Sequence, residues 1–368
     1  MARFIPGLEL NRMYYREAVA PILAAHFSRL KYSAALIGYG SDVLGYDSER
    51  STDHEWGPRL LLFFDEQDHK ALAAQMTEKL TRHLPTTFRG YSTSFAKADE
   101  NGVRWMVPGE PGRIDHHVYT HTVSSFVRLM LNIEPGQTLD SVDWLLMSQQ
   151  KLLEITGGEV FHDGLGELVP LREKLAWYPR DVWLFMMAAG WYRIAQEEHF
   201  VGRCGEEGDD LGSRLVAGRL VRDLMRLCLL MERRYAPYSK WLGTLFSRLS
   251  CAQGLGPILR SVLSASSWQD REKPLCAAYE VVARMHNSLR VTAVLDTSTM
   301  QFHDRPYRVL GAGRFAKAAS DAIADDELKA IYAAANGIGA VDQFVDSTNL
   351  LGRADLRTRL RVLFKPAA

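Results

Sequence analysis

The fold is decided by the glycine-rich stretch IGYGSDVLGYD (residues 37–47) and by STDHEWGPR (residues 51–59), which follows it. The apolar run 33–38 in front of these segments predicts a strand that ends at the glycines. Glycines let the backbone bend closely around a ligand, and Ser41 follows Gly40 where exposed N–H groups and a hydroxyl could hold a phosphate. The stretch therefore predicts a strand followed by a phosphate-binding turn.

Two acids, Asp53 and Glu55, come shortly after this turn. If the chain is extended there, both side chains project to the same side, because side chains alternate with a period of two. Two carboxylates beside a phosphate are suited to Mg²⁺, which prefers oxygen ligands. The pattern indicates phosphoryl or nucleotidyl transfer by metal-assisted in-line displacement. The alternative is a surface turn that carries two solvated acids.

Composition narrows the class of protein. The 368 residues contain 44 Lys plus Arg and 44 Asp plus Glu, so the formal net charge is zero. A balanced charge argues against nucleic acid as a partner, since duplex binders need many phosphate-neutralising cations. The four cysteines form no Cys-x-x-Cys pair, which favours buried or idle thiols in a reducing compartment over zinc or disulfides. No apolar stretch has the length of a signal peptide or membrane span, so we expect a soluble, cytoplasmic protein with no membrane partner.

The order of elements predicts two domains. Residues 1–135 indicate an α/β (α+β) domain with a mixed sheet, and the polar, turn-rich segment 132–143 marks a boundary. Residues 140–368 are expected to form a mostly α-helical domain. The predicted elements of the first domain are helices at 12–31 and 69–83 and strands at 33–38, 59–64, 87–95, 103–107 and 115–123.

Ser213–Arg234 is the clearest helix of the second part, with Ser213 as its expected N-cap. Arginines recur along it at helical spacing, which fits either a solvated face or a phosphate-facing surface; they are Arg219, Arg222, Arg226 and Arg233. In the first part, strand alternation places four residues on one face, with His116 on the other; the four are Asp115, His117, Tyr119 and His121. No role follows for the tail from Gly337 onward.

Two sets of sequence motifs resemble those of known protein families. Gly40-Ser41 followed by Asp53-x-Glu55 resembles the signature of the nucleotidyltransferase superfamily typified by polymerase β, in the variety of the small antibiotic-modifying enzymes. More narrowly, four blocks resemble a bacterial family known only as a nucleotidyltransferase-like domain of unknown function. They are SxDHxWGP at 51–58, WYPxDVW at 177–183, EExFxGRCGExGDxLGS at 197–213 and YxPYSKWLG at 235–243.

The resemblance implies a catalytic domain followed by a helical domain that closes the cleft. Gly40 and Ser41 would hold the triphosphate, and Asp53 and Glu55 would bind Mg²⁺ or Mn²⁺. Asp115 is the expected third carboxylate, which binds metal and activates the attacking hydroxyl; a surface role is its alternative. The resemblance leaves room for a homodimer.

Two departures from the superfamily pattern concern the acids. His54 stands between Asp53 and Glu55, where an aliphatic residue is usual. A Trp-Gly-Pro segment follows at 56–58, and proline cannot donate to a sheet ladder. The next strand must therefore lie at a sheet edge, contain a bulge or begin only at Arg59.

The helical part supplies further candidates. In the acidic segment 197–210, Glu198 or Asp209 would receive a proton from the acceptor, with Arg203 beside them; a solvated acidic loop is the alternative. Lys240 would neutralise a phosphate, and Tyr238 would hydrogen-bond it or stack on the base. The alternative for this second pair is a helix junction with an aromatic core.

The leading hypothesis is a nucleotidyltransferase that moves a nucleoside monophosphate from a nucleoside triphosphate, with ATP as the expected donor, to a hydroxyl of a small-molecule acceptor. Nucleotidylation of a protein Tyr, Ser or Thr is the second hypothesis. The third is a nucleotide-binding or interaction module without catalysis.

Overall fold

A computed structural model describes residues 4–100, 102–134 and 136–364 of the chain. They divide into two compact units, Met1–Thr138 with Lys151–Ala176 and Leu139–Gln150 with Trp177–Ala368. The second unit thus begins at Leu139, while the segment Lys151–Ala176, expected in the helical part, belongs to the first unit.

The described residues contain ten short strands and eighteen α-helices. The strands are β1 Ser33–Leu36, β2 Arg59–Phe63, β3 Thr87–Phe88, β4 Tyr91–Ser92, β5 Ser94–Phe95, β6 Met106–Val107, β7 His117–His121, β8 Glu159–Asp163, β9 Met300–Gln301 and β10 Arg308–Val309. The helices are α1 Gly7–Tyr14, α2 Ala20–His26, α3 Glu66–His83, α4 Val123–Leu131, α5 Ser141–Leu146, α6 Gln149–Thr156, α7 Leu168–Lys174, α8 Arg180–Glu197, α9 Phe200–Glu206, α10 Asp210–Met231, α11 Ser239–Phe246, α12 Ala252–Ser264, α13 Trp268–Ser288, α14 Gly313–Asp321, α15 Asp326–Ala334, α16 Val341–Phe344, α17 Thr348–Gly352 and α18 Ala354–Arg357.

The first unit is built on a mixed four-stranded sheet with the order β7-β2-β1-β8. Strand β2 runs parallel to β7, with Arg59 opposite His117 and Phe63 opposite His121, and β1 is antiparallel to both of its neighbours. The predicted mixed sheet followed by a mostly helical part is confirmed. Strand β8 was missed, because the whole chain beyond residue 143 was taken as helical.

The predicted strand at 87–95 is wrong. Arg89 and Gly90 adopt left-handed φ angles of 52° and 88° and turn the chain back, so that β3 and β4 form a hairpin. The next pair of residues, β5, then pairs with β6. Three two-residue strands therefore replace one long one, because a left-handed pair of residues cannot continue a strand.

The two faces of the sheet differ in what they contact. Leu60, Leu62 and Val118 are buried in one hydrophobic core with residues of α1, α2 and α3. The intervening residues of β2 and β7 point to the opposite, open face because side chains alternate along a strand. His117, Tyr119 and His121 all lie on this open face, as predicted.

Within the described residues, the second unit consists of helices and one β-hairpin, formed by β9 and β10. Helix α8 buries almost its whole circumference, including Trp183, Phe185 and Trp191. Helix α10 begins three residues earlier than predicted, since Asp209 accepts from the Gly212 N–H and caps it. Ser213 is not the cap: it is buried, and its hydroxyl accepts from Arg271.

The four arginines of the predicted stripe have partners inside this unit, three of them on α10 and Arg233 just beyond its end. Arg219 contacts Glu197 at 2.5 Å, Arg222 contacts Asp346 at 2.9 Å, and the remaining two approach Asp342 (Arg226, 3.7 Å) or stack on a tryptophan ring (Arg233). Neither expected reading, a solvated face or a phosphate-binding surface, describes them fully.

No helix among the described residues is long and apolar enough to cross a membrane.

Two glycines that flank β8 provide a test of how it is held. Both have left-handed φ angles, 63° at Gly158 and 72° at Gly166, but a Cβ at Gly158 would lie 1.9 Å from the Leu36 carbonyl oxygen and one at Gly166 would meet nothing within 4 Å. We expect Gly158→Ala to lower the free energy of unfolding by about 3 kcal/mol and Gly166→Ala by about 1 kcal/mol. Urea unfolding followed by tryptophan fluorescence measures both, and equal losses would contradict this account.

Candidate active site

The glycine turn follows β1 directly and is shaped by its glycines. Gly38 and Gly40 have φ angles of 98° and 131°. A Cβ at Gly40 would lie 2.2 Å from the Arg59 side chain and 2.3 Å from that of Asp42, so only glycine fits there. The backbone N–H groups of Gly40 and Ser41 donate to no described residue. A phosphate-binding turn needs such unbonded N–H groups, and phosphate binding here stays a prediction.

A buried ion pair lies under this turn. Asp42 is fully buried and Arg59 is 5% exposed. The guanidinium donates to both carboxylate oxygens of Asp42, at 2.7 and 3.1 Å, and to the Tyr39 carbonyl oxygen at 2.8 Å. Burial alone would lower the pKa of Arg59, but the charge and hydrogen bonds of Asp42 outweigh it and raise the pKa. The pair ties the turn to the first residue of β2.

The sequence analysis missed this pair. A signal was present, because Arg59 opens the apolar run of β2, and a charged residue at the start of a buried strand needs a partner. Its partner lies 17 positions away, however, and only the folded chain brings the two together.

The expectation of an extended segment at the two acids is wrong. Asp53 ends a 3-10 helix, Glu49–Asp53, and its side chain is 59% exposed and lies 2.9 Å from His54 Nδ1. Glu55 has a left-handed φ of 48°, which turns its side chain inward to an exposure of 17%. The strand begins only at Arg59 and lies inside the sheet, so of the three readings of the Trp-Gly-Pro segment the delayed strand is confirmed.

Glu55 is the acid that reaches the interior. Its Oε1 accepts from the Arg104 backbone N–H at 2.6 Å. Its Oε2 is buried and has no hydrogen-bond partner among the described residues; it lies 3.7 Å from Nε2 of His117. Burial first, and then the charges of Arg59 and Arg104, lower the pKa of His117 to about 3, so the imidazole is neutral at pH 7. A buried carboxylate oxygen without a partner is costly and is a typical feature of a binding site.

Asp115 is held by Arg104. The guanidinium Nη2 lies 2.6 Å from Asp115 Oδ1, and Nη1 donates to the Tyr119 hydroxyl at 2.9 Å. Arg104 therefore contacts Glu55 through its backbone and Asp115 through its side chain, a link that the sequence analysis also missed. The contact occupies one oxygen of the expected third carboxylate. Within residues 4–100, 102–134 and 136–364, no group of three His, Cys, Asp or Glu side chains is arranged to hold a metal ion.

The open face of the sheet carries a pocket of about 330 Å³. Its floor is formed by Arg59, Leu61, His117, Tyr119 and His121 of β2 and β7. Ile37, Gly38 and Tyr39 line the side next to the glycine turn, and Phe126, Leu129 and Met130 of α4 also line the pocket. The pocket thus begins where the chain enters the turn.

The residues expected to bind nucleotide in the helical part lie at the start of α11. Tyr238 is 40% exposed, and its N–H donates to the Gln150 side chain at 3.0 Å. Lys240 is exposed and lies 4.8 Å from the centre of the Trp241 ring. Tyr235 is buried against Trp177. The alternative prediction of an aromatic core therefore describes Tyr235 but neither Tyr238 nor Lys240.

The candidate residues for acceptor binding differ in how many hydrogen bonds their side chains already make. Glu198 is buried, and its carboxylate accepts from the N–H groups of Leu310, Gly311 and Ala312 at 2.7–3.1 Å. Burial raises its pKa, while these three hydrogen bonds oppose the shift. A proton-accepting role for Glu198 would compete with them. Asp209 caps α10, whereas Arg203 is exposed beside Phe200.

Among known proteins, one family model and one solved structure are similar to this chain. A family model described as "Domain of unknown function (DUF4037)" matches residues 144–242. The expected resemblance to a domain of unknown function is confirmed over those residues, and the block at 51–58 lies outside them. No curated protein matches the sequence.

One solved structure is similar, a nucleotidyltransferase-like protein from Exiguobacterium sibiricum 255-15. It shares 14% sequence identity, and the match covers 81% of this chain and 83% of that one with a TM-score of 0.29. At that TM-score the similarity carries no argument about the activity of this chain.

The buried ion pair yields a stability test. Asp42→Asn removes the charge that compensates Arg59 in the interior, so we expect a loss of about 3–5 kcal/mol in the free energy of unfolding. Glu17→Gln is the matched control, because Glu17 pairs with Arg89 at 2.6 Å but both side chains are nearly half exposed. It should cost at most about 1 kcal/mol. Urea titration of both variants checks the difference, and a tolerated Asp42→Asn would rule out the anchoring role.

Proposed function

We propose that the chain is a metal-dependent nucleotidyltransferase that transfers a nucleoside monophosphate from a nucleoside triphosphate, with ATP as the expected donor, to a hydroxyl of a small-molecule acceptor. The observation that carries the proposal is the buried, unpartnered Oε2 of Glu55. It belongs to the Asp-x-Glu pair of the sequence signature. The unbonded N–H groups of Gly40 and Ser41 support a phosphate site in the same unit.

Asp53 and Glu55 would hold Mg²⁺ or Mn²⁺. Magnesium is commonly bound through one or two carboxylates together with the phosphates of the substrate, so a pair of acids is sufficient. The open oxygen of Glu55 and the exposed carboxylate of Asp53 fit that demand. When bound, the metal neutralises the phosphate charge and favours departure of pyrophosphate. Asp115 fits less well, because it would have to give up its contact with Arg104.

The residues of the chain would then bind the nucleotide, orient the acceptor and accept its proton. The N–H groups of Gly40 and Ser41 bind the non-bridging phosphate oxygens. The acceptor oxygen forms a bond to the α-phosphorus, and the bond from that phosphorus to the bridging oxygen breaks, releasing pyrophosphate. The hydroxyl proton passes to a carboxylate, with Asp115 as the candidate in this unit. Glu198 and Asp209 remain proposals for acceptor binding, with Arg203, and Tyr238 and Lys240 for the nucleotide.

The module without catalysis is the second candidate. The engagement of Asp115 by Arg104 favours it, because the guanidinium occupies a carboxylate oxygen that would otherwise be open to the acceptor hydroxyl. It predicts nucleotide binding without turnover. Nucleotidylation of a protein differs from the leading proposal only in the acceptor.

The carboxylate pair is tested with Asp53→Asn and Glu55→Gln. With each nucleoside triphosphate and Mg²⁺ or Mn²⁺, the wild type should melt at a higher temperature, because a ligand of the folded state stabilises it. Both variants should lose this shift, and pyrophosphate release should fall at least about a hundredfold. Glu49→Gln, an exposed acid in the same 3-10 helix, is the control and should behave as the wild type.

Three outcomes separate the candidates. A metal-dependent shift with pyrophosphate release supports transfer, and mass spectrometry of added proteins then reveals or excludes a protein acceptor. A shift without release supports the module without catalysis. Full turnover in both variants, or no shift with any nucleotide, overturns the nucleotidyltransferase proposal.

A further inference from the structure

The pocket on the open face of the sheet has a defined chemical character. The described residues that line it include no Asp or Glu. Its side toward α4 is apolar, formed by Phe126, Leu129 and Met130, and Leu61 lies in its floor. A volume of about 330 Å³ is at the lower end of the range for small-molecule sites, which suits a molecule of one or two rings.

The polar groups of the pocket bring no free charge to it. Arg59 is neutralised by the buried Asp42 at 2.7 Å. Burial lowers the pKa of His121, so its imidazole is neutral at pH 7. The Tyr119 hydroxyl accepts from Arg104 and keeps its own proton to donate. A charged ligand would lose its hydration here and gain no counter-charge, which is costly.

The pocket also touches both parts of the proposed reaction centre. Gly38 and Tyr39 in its side wall directly precede the N–H groups assigned to the triphosphate. His117 in its floor lies 3.7 Å from the unpartnered oxygen of Glu55. A molecule in the pocket therefore contacts residues next to the glycine turn and a histidine next to Glu55.

From these observations we propose that the pocket holds the acceptor, in place of the helical residues Glu198, Asp209 and Arg203. We further propose that the acceptor is an uncharged, predominantly apolar alcohol of one or two rings. The inference rests on the proposed function and deepens it by naming the class of acceptor. The hydroxyl points toward His117 and the glycine turn, and the rings lie against Phe126 and Met130. Cationic acceptors are disfavoured because the pocket lining offers them no carboxylate.

Three naphthalene compounds of the same shape test the charge preference at pH 7.5: naphthalen-2-ylmethanol, naphthalene-2-carboxylate and naphthalen-2-ylmethylammonium. Binding to the wild-type chain is measured by thermal shift and by titration of the naphthalene fluorescence. We expect the alcohol to raise Tm by about 2–4 °C and to bind at least about tenfold more tightly than either ion. Equal or tighter binding of an ion, or no binding of the alcohol, would overturn the proposal.

Substitutions inside and outside the pocket test where the alcohol binds. Leu61→Trp fills the pocket from its floor and should weaken binding of naphthalen-2-ylmethanol about tenfold or more. Val169→Trp introduces the same side chain at an exposed position on α7, outside the pocket, and should leave binding unchanged. Leu129→Glu, at a position 68% exposed, tests the pocket mouth if Leu61→Trp fails to fold, and should also weaken binding. Unchanged binding in the folded pocket variants would refute the assignment.

Failure of this inference can be told apart from failure of the proposed function. The nucleotide-dependent shift in Tm involves the glycine turn and the acids, and needs no alcohol. If the nucleotide binds and the alcohol does not, only the acceptor class is wrong. If both bind, naphthalen-2-ylmethanol should raise pyrophosphate release above the rate without it in the wild type, and lack of any rise would contradict its role as acceptor.

Discussion

The ion pair between Asp42 and Arg59 is the interaction on which the candidate site depends. It joins the glycine turn to the first residue of β2, and the Arg59 guanidinium also holds the carbonyl oxygen of Tyr39. A buried ion pair contributes little net stability, but each partner is costly without the other. The pair therefore fixes one arrangement of turn and strand. Position 40 consequently requires glycine, because the ion pair occupies the space that a side chain would need.

Arg104 has a comparable role within the first unit. It donates its backbone N–H to Glu55 and its guanidinium to Asp115 and Tyr119, and it is itself largely buried. One residue thus orients an interior acid and neutralises an exposed one. This arrangement separates the two acids in function: Glu55 keeps an open oxygen, whereas Asp115 begins with a partner.

The acids of the signature lie outside the sheet, and this shapes the chemistry of its open face. Because β2 begins only at Arg59, its open-face positions are Arg59, Leu61 and Phe63. The face consequently carries no acidic residue of β2 or β7, because neither strand contains one. A pocket of this kind would exclude water from the apolar groups of the proposed acceptor, with the phosphates of the proposed nucleotide at the glycine turn. Low local polarity also strengthens the contacts that remain at the margin.

The sequence by itself determined the features that depend on neighbouring residues. Apolar runs placed β1 and β2, the helix α3 and the change to helical structure, and the glycines located the turn. Tertiary structure decided the rest. The partners Asp42 and Arg59 are 17 positions apart and Glu55 and Arg104 are 49 apart, so no local pattern reveals them. Glu55 turns inward because a left-handed residue replaces the expected extended one. Strand β8 joins the sheet from beyond residue 150, since a five-residue strand is stable only when another strand satisfies its backbone groups.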